Sequence, residues 1–145
     1  GSVVTYVRYG DRVFSSVIEK GEADIILSFE QLESARWLPY LKKGGVLITG
    51  TQKIDPMPVI MGKAKYPDSI IEKLSKNNIK VIAVDALGLA LKAGSAKSAN
   101  VVLLGAAVHF LGIDRESFEK IVESSVPPKT VQANLKAFGY GYDAE

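Results

Sequence analysis

The apolar residues of this chain fall into two rhythms that trade places along its length. Residues 23–30 open with a short apolar run without alternation, Ala23-Asp24-Ile25-Ile26-Leu27, followed by Ser28-Phe29-Glu30. That pattern predicts a strand covered on both faces. Leu32, Ala35 and Leu38 then recur at helical spacing, with Glu30 and Glu33 in the first turn, where the positive helix end favours carboxylates. Pro39 ends that helix near Leu38. Gly44-Gly45 turns the chain into a second buried strand at residues 46–48. Strand, helix and strand in about thirty residues make a βαβ unit, whose crossover is right-handed.

The flanks extend the pattern. Residues 3–9 alternate, with Val3, Thr5, Val7 and Tyr9 on one face and Val4, Tyr6 and Arg8 on the other. Gly10-Asp11 is turn chemistry and residues 13–18 resume as a strand, which predicts an antiparallel hairpin. After Thr51, Pro56 and Pro58 bracket Met57, so residues 52–58 read as extended and not helical. Val59-Ile60-Met61 reads as a short edge strand. Ser69-Ile70-Ile71-Glu72 has capping-box spacing for a helix over 70–76, with Asn77-Asn78 as its stop. Residues 80–84 are a third buried strand, with Asp85 at its carboxyl end.

The last third is helical. Residues 87–93 form a short helix closed by Gly94. Residues 99–111 are apolar nearly all round, hence central, and Gly105, Ala106 and Ala107 admit a neighbouring backbone. Gly112 closes that helix, and Asp114 caps the next, 115–124, with Phe118, Ile121 and Val122 in its buried stripe. Pro127-Pro128 breaks the chain, Val131, Leu135 and Phe138 mark a final helix, and Gly139-Tyr140-Gly141-Tyr142 reads as a loose tail. The sum is one α/β domain, Rossmann-like and three-layered. Its sheet is mostly parallel with an antiparallel hairpin portion, and its C-terminal third is helical.

Composition narrows the chemistry. At 145 residues with net charge +2, the chain has size for a core and no bias toward nucleic acid or anionic membranes. The longest apolar stretch, 101–111, is interrupted by His109 and is too short to span a bilayer. There is no cysteine and one histidine, which excludes a disulfide framework, a cysteine-ligated zinc site and an iron–sulfur cluster held by this chain alone. A cytoplasmic location fits these numbers.

Polar residues follow the strands where ligands of parallel sheets sit: Ser28 and Glu30, Thr49 and Thr51, and Asp85. Asp85 suits a ribose or substrate hydroxyl, and suits equally a helix cap. Glu30 suits a ligand contact or the helix dipole, and Asn100 a ligand or backbone. Gly44-Gly45 precedes a strand instead of opening a helix, so it is no phosphate fingerprint. His109 reads as a packing or capping residue, and Trp37 with Tyr40 as either a partner anchor or buried packing. No catalytic constellation is visible.

The order of several short pieces is more specific. Val7-Arg8-Tyr9-Gly10-Asp11, Gly21-Glu22-Ala23-Asp24, Phe29-Glu30-Gln31-Leu32-Glu33 and Leu38-Pro39-Tyr40-Leu41-Lys42-Lys43-Gly44-Gly45 follow one another, then Val84-Asp85-Ala86, 99–105 and 131–138. This series resembles the gamma-type domain of 2-oxoacid:ferredoxin oxidoreductases over essentially the whole chain. Ile54-Asp55-Pro56-Met57-Pro58-Val59-Ile60 is most similar to the indolepyruvate-type beta subunits of that family. The pyruvate, 2-oxoglutarate and 2-oxoisovalerate branches stay open. The resemblance implies a subunit in the oxidative decarboxylation of a 2-oxoacid to an acyl-CoA, carbon dioxide and reduced ferredoxin. It implies a larger alpha-type partner carrying thiamine diphosphate and iron–sulfur clusters, with coenzyme A as acyl acceptor and ferredoxin as electron acceptor. Cofactor contacts on this chain are then expected at Ser28, Glu30, Thr51, Asp85 and Asn100. Family members begin with a strand, a GxGGQG turn and a helix, and this chain starts after them. The expectation is therefore a single domain over 1–145 lacking that first unit, oligomeric or held with further residues. The competing readings are a stand-alone nucleotide or acyl-CoA binding module and a purely structural interface subunit.

Overall fold

The structure, a computed structural model, describes residues 3–76 and 79–144. At its centre three parallel strands, β1 (Ala23–Ser28), β2 (Leu41–Gly50) and β3 (Lys80–Val84), pair in the order β1-β2-β3. Around them run α1 (Gln31–Trp37), α2 (Met57–Ile60), α3 (Ile70–Ser75), α4 (Ala86–Ala93), α5 (Ala99–Val108), α6 (Arg115–Ser125) and α7 (Val131–Tyr142).

β2 is buried on both faces, as its unbroken Val46-Leu47-Ile48 run requires. Leu47 packs with Ile70 and Leu74 of α3 and with Leu32 and Ala35 of α1. Val46 and Ile48 look the other way, into a larger core built from α4, α5 and α7 and including Val102, Leu103 and Phe138. Helix, sheet and helix thus form three layers. Each fully buried leucine or isoleucine contributes about 1.5–3 kcal/mol over leaving it in water. The β1–β2 ladder is irregular at its start. Ala23 pairs with Leu41 but Ile25 pairs with Val46, so residues 42–45 swell out of the ladder, turning at Gly44 (φ 80°).

α5 is apolar apart from Asn100 and lies directly against α7. Glycines set the distance between them. A Cβ on Gly141 would sit 1.8 Å from the Val102 carbonyl oxygen, and one on Gly105 would sit 2.2 Å from that of Phe138. The two backbones therefore touch, and residues 139–142 continue the helix where a loose tail was expected. The tyrosines of that turn face outward onto cations. Lys92 Nζ lies 4.6 Å from the centre of the Tyr140 ring, and the Arg115 guanidinium carbon lies 4.6 Å from that of Tyr142.

The helix caps follow local chemistry. Asp114 accepts from the Ser117 amide at 2.9 Å, and that hydrogen bond holds its carboxyl below the usual carboxylate range. Gly94 closes α4 at φ 110°. Within α6, Phe118 and Val122 are buried, but Ile121 is 49% exposed, one position off the buried stripe. Ser69 precedes α3 in a left-handed conformation and makes no side-chain cap, so the capping box is not formed. The Asn77-Asn78 stop lies outside the described residues.

Two strand expectations fail for stated reasons. Residues 3–22 form no hairpin: they run as an extended, mostly exposed segment, with Val3, Val7 and Phe14 in solvent. Alternation specifies a register only when one face is buried, and here neither is. The segment is held by Tyr9, whose hydroxyl donates to Leu111 O at 2.9 Å, and by Arg8, paired with Glu22 at 2.7 Å. Gly21 N–H donates to Pro39 O at 3.0 Å, and Tyr6 meets the Trp37 ring edge-on. The sheet of the described residues is accordingly wholly parallel. Residues 59–61 are no edge strand either. They complete α2 and its cap, because Pro58 falls in the first turn, where a missing N–H costs nothing.

Gly141→Ala is expected to destabilise the protein by about 2–4 kcal/mol through backbone overlap. Gly139→Ala, whose new methyl meets only Arg115 Nη2 at 3.5 Å, is expected to add about 0.5–1 kcal/mol by helix propensity. Denaturant unfolding of both variants checks the contrast.

Candidate functional site

The carboxyl edge of the sheet gathers the polar residues that the sequence placed there. Ser28 ends β1 buried, its hydroxyl donating to Glu30 O at 2.8 Å. Glu30 is only 6% exposed and sits extended (φ −151°) ahead of α1. Its carboxylate accepts from the amides of Leu32 at 3.0 Å and Glu33 at 2.5 Å, and from the Tyr66 hydroxyl at 2.8 Å. A buried carboxylate needs such donors to offset its lost hydration, and the helix N-terminus supplies a favourable dipole as well. The Tyr66 oxygen also accepts from Leu32 N–H at 3.1 Å. Burial first, then the hydrogen bond to Glu30, pushes the Tyr66 phenol well above its ordinary value.

β2 reaches the same edge. Thr49 is fully buried and its hydroxyl donates to Gly50 O at 3.1 Å. Thr51 continues the ladder, its amide donating to Val84 O at 3.0 Å. Its carbonyl accepts from Gln31 Nε2 at 2.6 Å, while the Gln31 amide donates to Gln52 O at 3.2 Å. Gln31 thus clamps the start of α1 to the end of β2. Asp85 caps α4, accepting from Gly88 N–H at 3.0 Å. Gly88 permits this, since a Cβ there would lie 2.2 Å from the Asp85 carboxylate.

Beside this edge lies an open cleft of about 450 Å³ lined by Gln31, Lys53, Asp68, Ser69, Ile71 and Glu72. Lys53 Nζ stands 5.8 Å from the centre of the Tyr66 ring. Ser69 is the one non-glycine with positive φ (55°) among the described residues. With one ammonium and two carboxylates, the cleft suits a small ligand carrying both an anionic and a donor group better than a polyphosphate. A second hollow, about 290 Å³, lies at the other end of β2 against Leu38, Leu41 and the swollen segment Lys42-Lys43-Gly44-Gly45. Among the described residues no three His, Cys, Asp or Glu side chains converge as metal ligands.

The structure brings Ser28, Glu30, Thr51 and Asp85 to the expected edge but commits Ser28, Glu30 and Asp85 to hydrogen bonds within the chain. Asn100 is exposed in the first turn of α5, and its side chain makes no hydrogen bond among the described residues. His109 caps a helix, as expected: it ends α5, and its Nε2 donates to Tyr142 O at 2.9 Å with the rings 4.0 Å apart. Trp37 and Tyr40 are half-buried and meet at a 45° tilt, ring centres 4.9 Å apart. Sequence reasoning missed Gln31, Lys53 and Tyr66. Gln31 sat in plain view one residue after Glu30. Tyr66 carried no signal, being a loop residue 36 positions from the carboxylate it seals.

Tyr66→Phe is expected to cost about 1–2 kcal/mol by removing a hydrogen bond to a buried carboxylate. The native protein holds the Tyr66 proton past pH 10, where the unfolded chain releases it. The stabilisation is therefore complete below that pH and declines above it. Unfolding midpoints from pH 8 to 11.5 should fall more steeply for the wild type than for Tyr66→Phe.

Comparison with known proteins adds a frame. Residues 1–144 match the model of the pyruvate ferredoxin/flavodoxin oxidoreductase family. The chain is similar to indolepyruvate oxidoreductase subunit IorB of Pyrococcus horikoshii, 43% identical over 99% of this chain and 74% of that protein. The same subunit of Thermococcus kodakarensis is 41% identical over 99% and 74%. Among solved structures, a keto/oxoacid ferredoxin oxidoreductase gamma subunit from Geobacter sulfurreducens superposes with TM-score 0.63 at 28% identity, covering 88% of this chain and 67% of that one. The pyruvate oxidoreductase subunit PORC of Thermotoga maritima, 24% identical with TM-score 0.56 over 83% of this chain and 62% of its own, shares the fold.

Proposed function

The chain belongs to the pyruvate ferredoxin/flavodoxin oxidoreductase family, and from that premise we propose that it is the gamma-type subunit of a 2-oxoacid:ferredoxin oxidoreductase acting on indolepyruvate or another aryl pyruvate. The observation that carries this reading is the 43% identity to an IorB subunit across 99% of the chain. The reaction removes carbon dioxide from the 2-oxoacid, passes the acyl group to the coenzyme A thiol, releases that thiol's proton to solvent and delivers two electrons to ferredoxin.

The residues present do not fit the redox group. Without a cysteine there is no thiolate to ligate an iron–sulfur cluster. The clusters therefore belong to a larger alpha-type companion, which in this reading carries thiamine diphosphate as well. The gamma-type chain contributes a rigid strand edge. Ser28 and Glu30 build that edge from inside and Asp85 caps α4 on its exposed side, while Gln31 and Lys53 face whatever occupies the adjoining cleft. Asn100, exposed and unbonded, is available to the companion. The assembly is an oligomer working in the cytoplasm, where its ferredoxin acceptor is reduced. No helix among the described residues is long and apolar enough to cross a membrane.

Purified alone, the chain is expected to oxidise no 2-oxoacid. Co-expressed with its companion it should support coenzyme A-dependent reduction of ferredoxin, with kcat/KM for indolepyruvate about tenfold or more above that for pyruvate. Anaerobic assays with each 2-oxoacid decide this, and turnover by the isolated chain would overturn it.

A further inference from the structure

One helical turn of this chain is inside out. Met57, Ile60 and Met61 occupy positions i, i+3 and i+4 and so share one face of α2 and its cap. That face points into solvent, with exposures of 63%, 65% and 56%, and Ile54 just before it is 57% exposed. Val59, on the other side, is half-buried.

The turn is nonetheless closed on itself. Val59 N–H donates to Pro56 O at 2.8 Å, Met61 N–H to Met57 O at 2.9 Å, and Lys63 N–H to Pro58 O at 2.8 Å. Pro56 and Pro58 fix two φ angles, and Gly62 turns the chain back at φ 70°. An apolar face presented on a preformed support loses little entropy when it is covered, and methionines adapt to the surface that covers them.

Charge identifies the kind of surface. Lys53, Lys63 and Lys65 are all exposed around the turn, against the single acid Asp55 in residues 52–65. Among the described residues neither Lys63 nor Lys65 pairs with a carboxylate. We propose that α2 is a docking knob whose Met57-Ile60-Met61 face enters an apolar pocket, rimmed by carboxylates, on the companion subunit. The proposal rests on the functional reading above, which supplies the companion. Lys53 also lines the cleft of the strand edge, so docking here would place the partner at that edge.

The test co-expresses the full chain with its companion subunit and measures the dissociation constant of the complex. Ile60→Glu combined with Met61→Glu is expected to weaken the complex at least about tenfold. Lys63→Glu with Lys65→Glu should slow association and flatten its salt dependence. Leu91→Glu, on exposed α4 surface, should leave the affinity within about twofold. All five substituted positions are exposed, so unchanged circular dichroism and thermal unfolding confirm intact folding. An affinity unmoved by Ile60→Glu with Met61→Glu overturns the docking knob alone. So does wild-type self-association, or binding to anionic phospholipid vesicles, that the same variant abolishes while the heteromeric complex survives. A wild-type chain that never joins the companion overturns the functional reading and this inference with it.

Discussion

The contact between α5 and α7 governs how the rest of the molecule can be arranged. With no side chain at Gly105 or Gly141, the two helices approach to backbone distance. That approach seats Phe138 and Val102 in the core over Val46 and Ile48 of the central strand. Any spacer between the helices would lift α7 away and open the outer face of α5, which lies on β2, to water. Apolar burial sets the stability of such a layer, but only close packing makes the arrangement unique. The same approach carries the tyrosines of the last turn outward, where Lys92 of α4, His109 at the end of α5 and Arg115 of α6 meet them. Four helices are thereby joined at one corner by a single glycine-spaced turn.

The strand edge follows a different rule. Its polar groups are largely occupied by one another: Ser28 with Glu30, Glu30 with Tyr66 and the α1 amides, Gln31 with Thr51, Asp85 with Gly88. A site built this way is stiff, because each group is fixed by a partner that cannot move alone. It fits a subunit that supplies shape and positioning to chemistry performed elsewhere in the assembly.

The core of this fold was legible in the residues. The double-sided strands, the amphipathic helices and the Asp85 and Asp114 caps follow from spacing within a few positions. What failed depended on contacts the spacing does not contain. Residues 3–9 alternate like a strand, yet no apolar surface lies behind them. Val59-Ile60-Met61 has strand composition, yet Pro58 and Gly62 close a helical turn around it. Gly139-Tyr140-Gly141-Tyr142 reads as a loose tail in isolation, and is helix because a neighbour's backbone needs the room. At the edge, Glu30 was visible and Tyr66 was not, since their hydrogen bond spans 36 residues of chain. The series of short motifs reached the family where periodicity alone reached only an α/β domain.

The swelling of β2 at residues 42–45 has its own consequence. Between Ala23 and Ile25 the first strand advances two residues, while its neighbour advances from Leu41 to Val46. The surplus leaves the ladder before the buried Val46–Gly50 stretch begins, so its length is decoupled from the register of the core. Gly45 packs against Leu41 and the Asp24 carbonyl, but around Gly44 there is open space, so added chain at Lys43-Gly44 leaves the downstream pairing its own residues. This lobe is therefore the natural graft point of the domain, where an epitope or a fluorophore attachment sequence can be accommodated with the sheet left undisturbed.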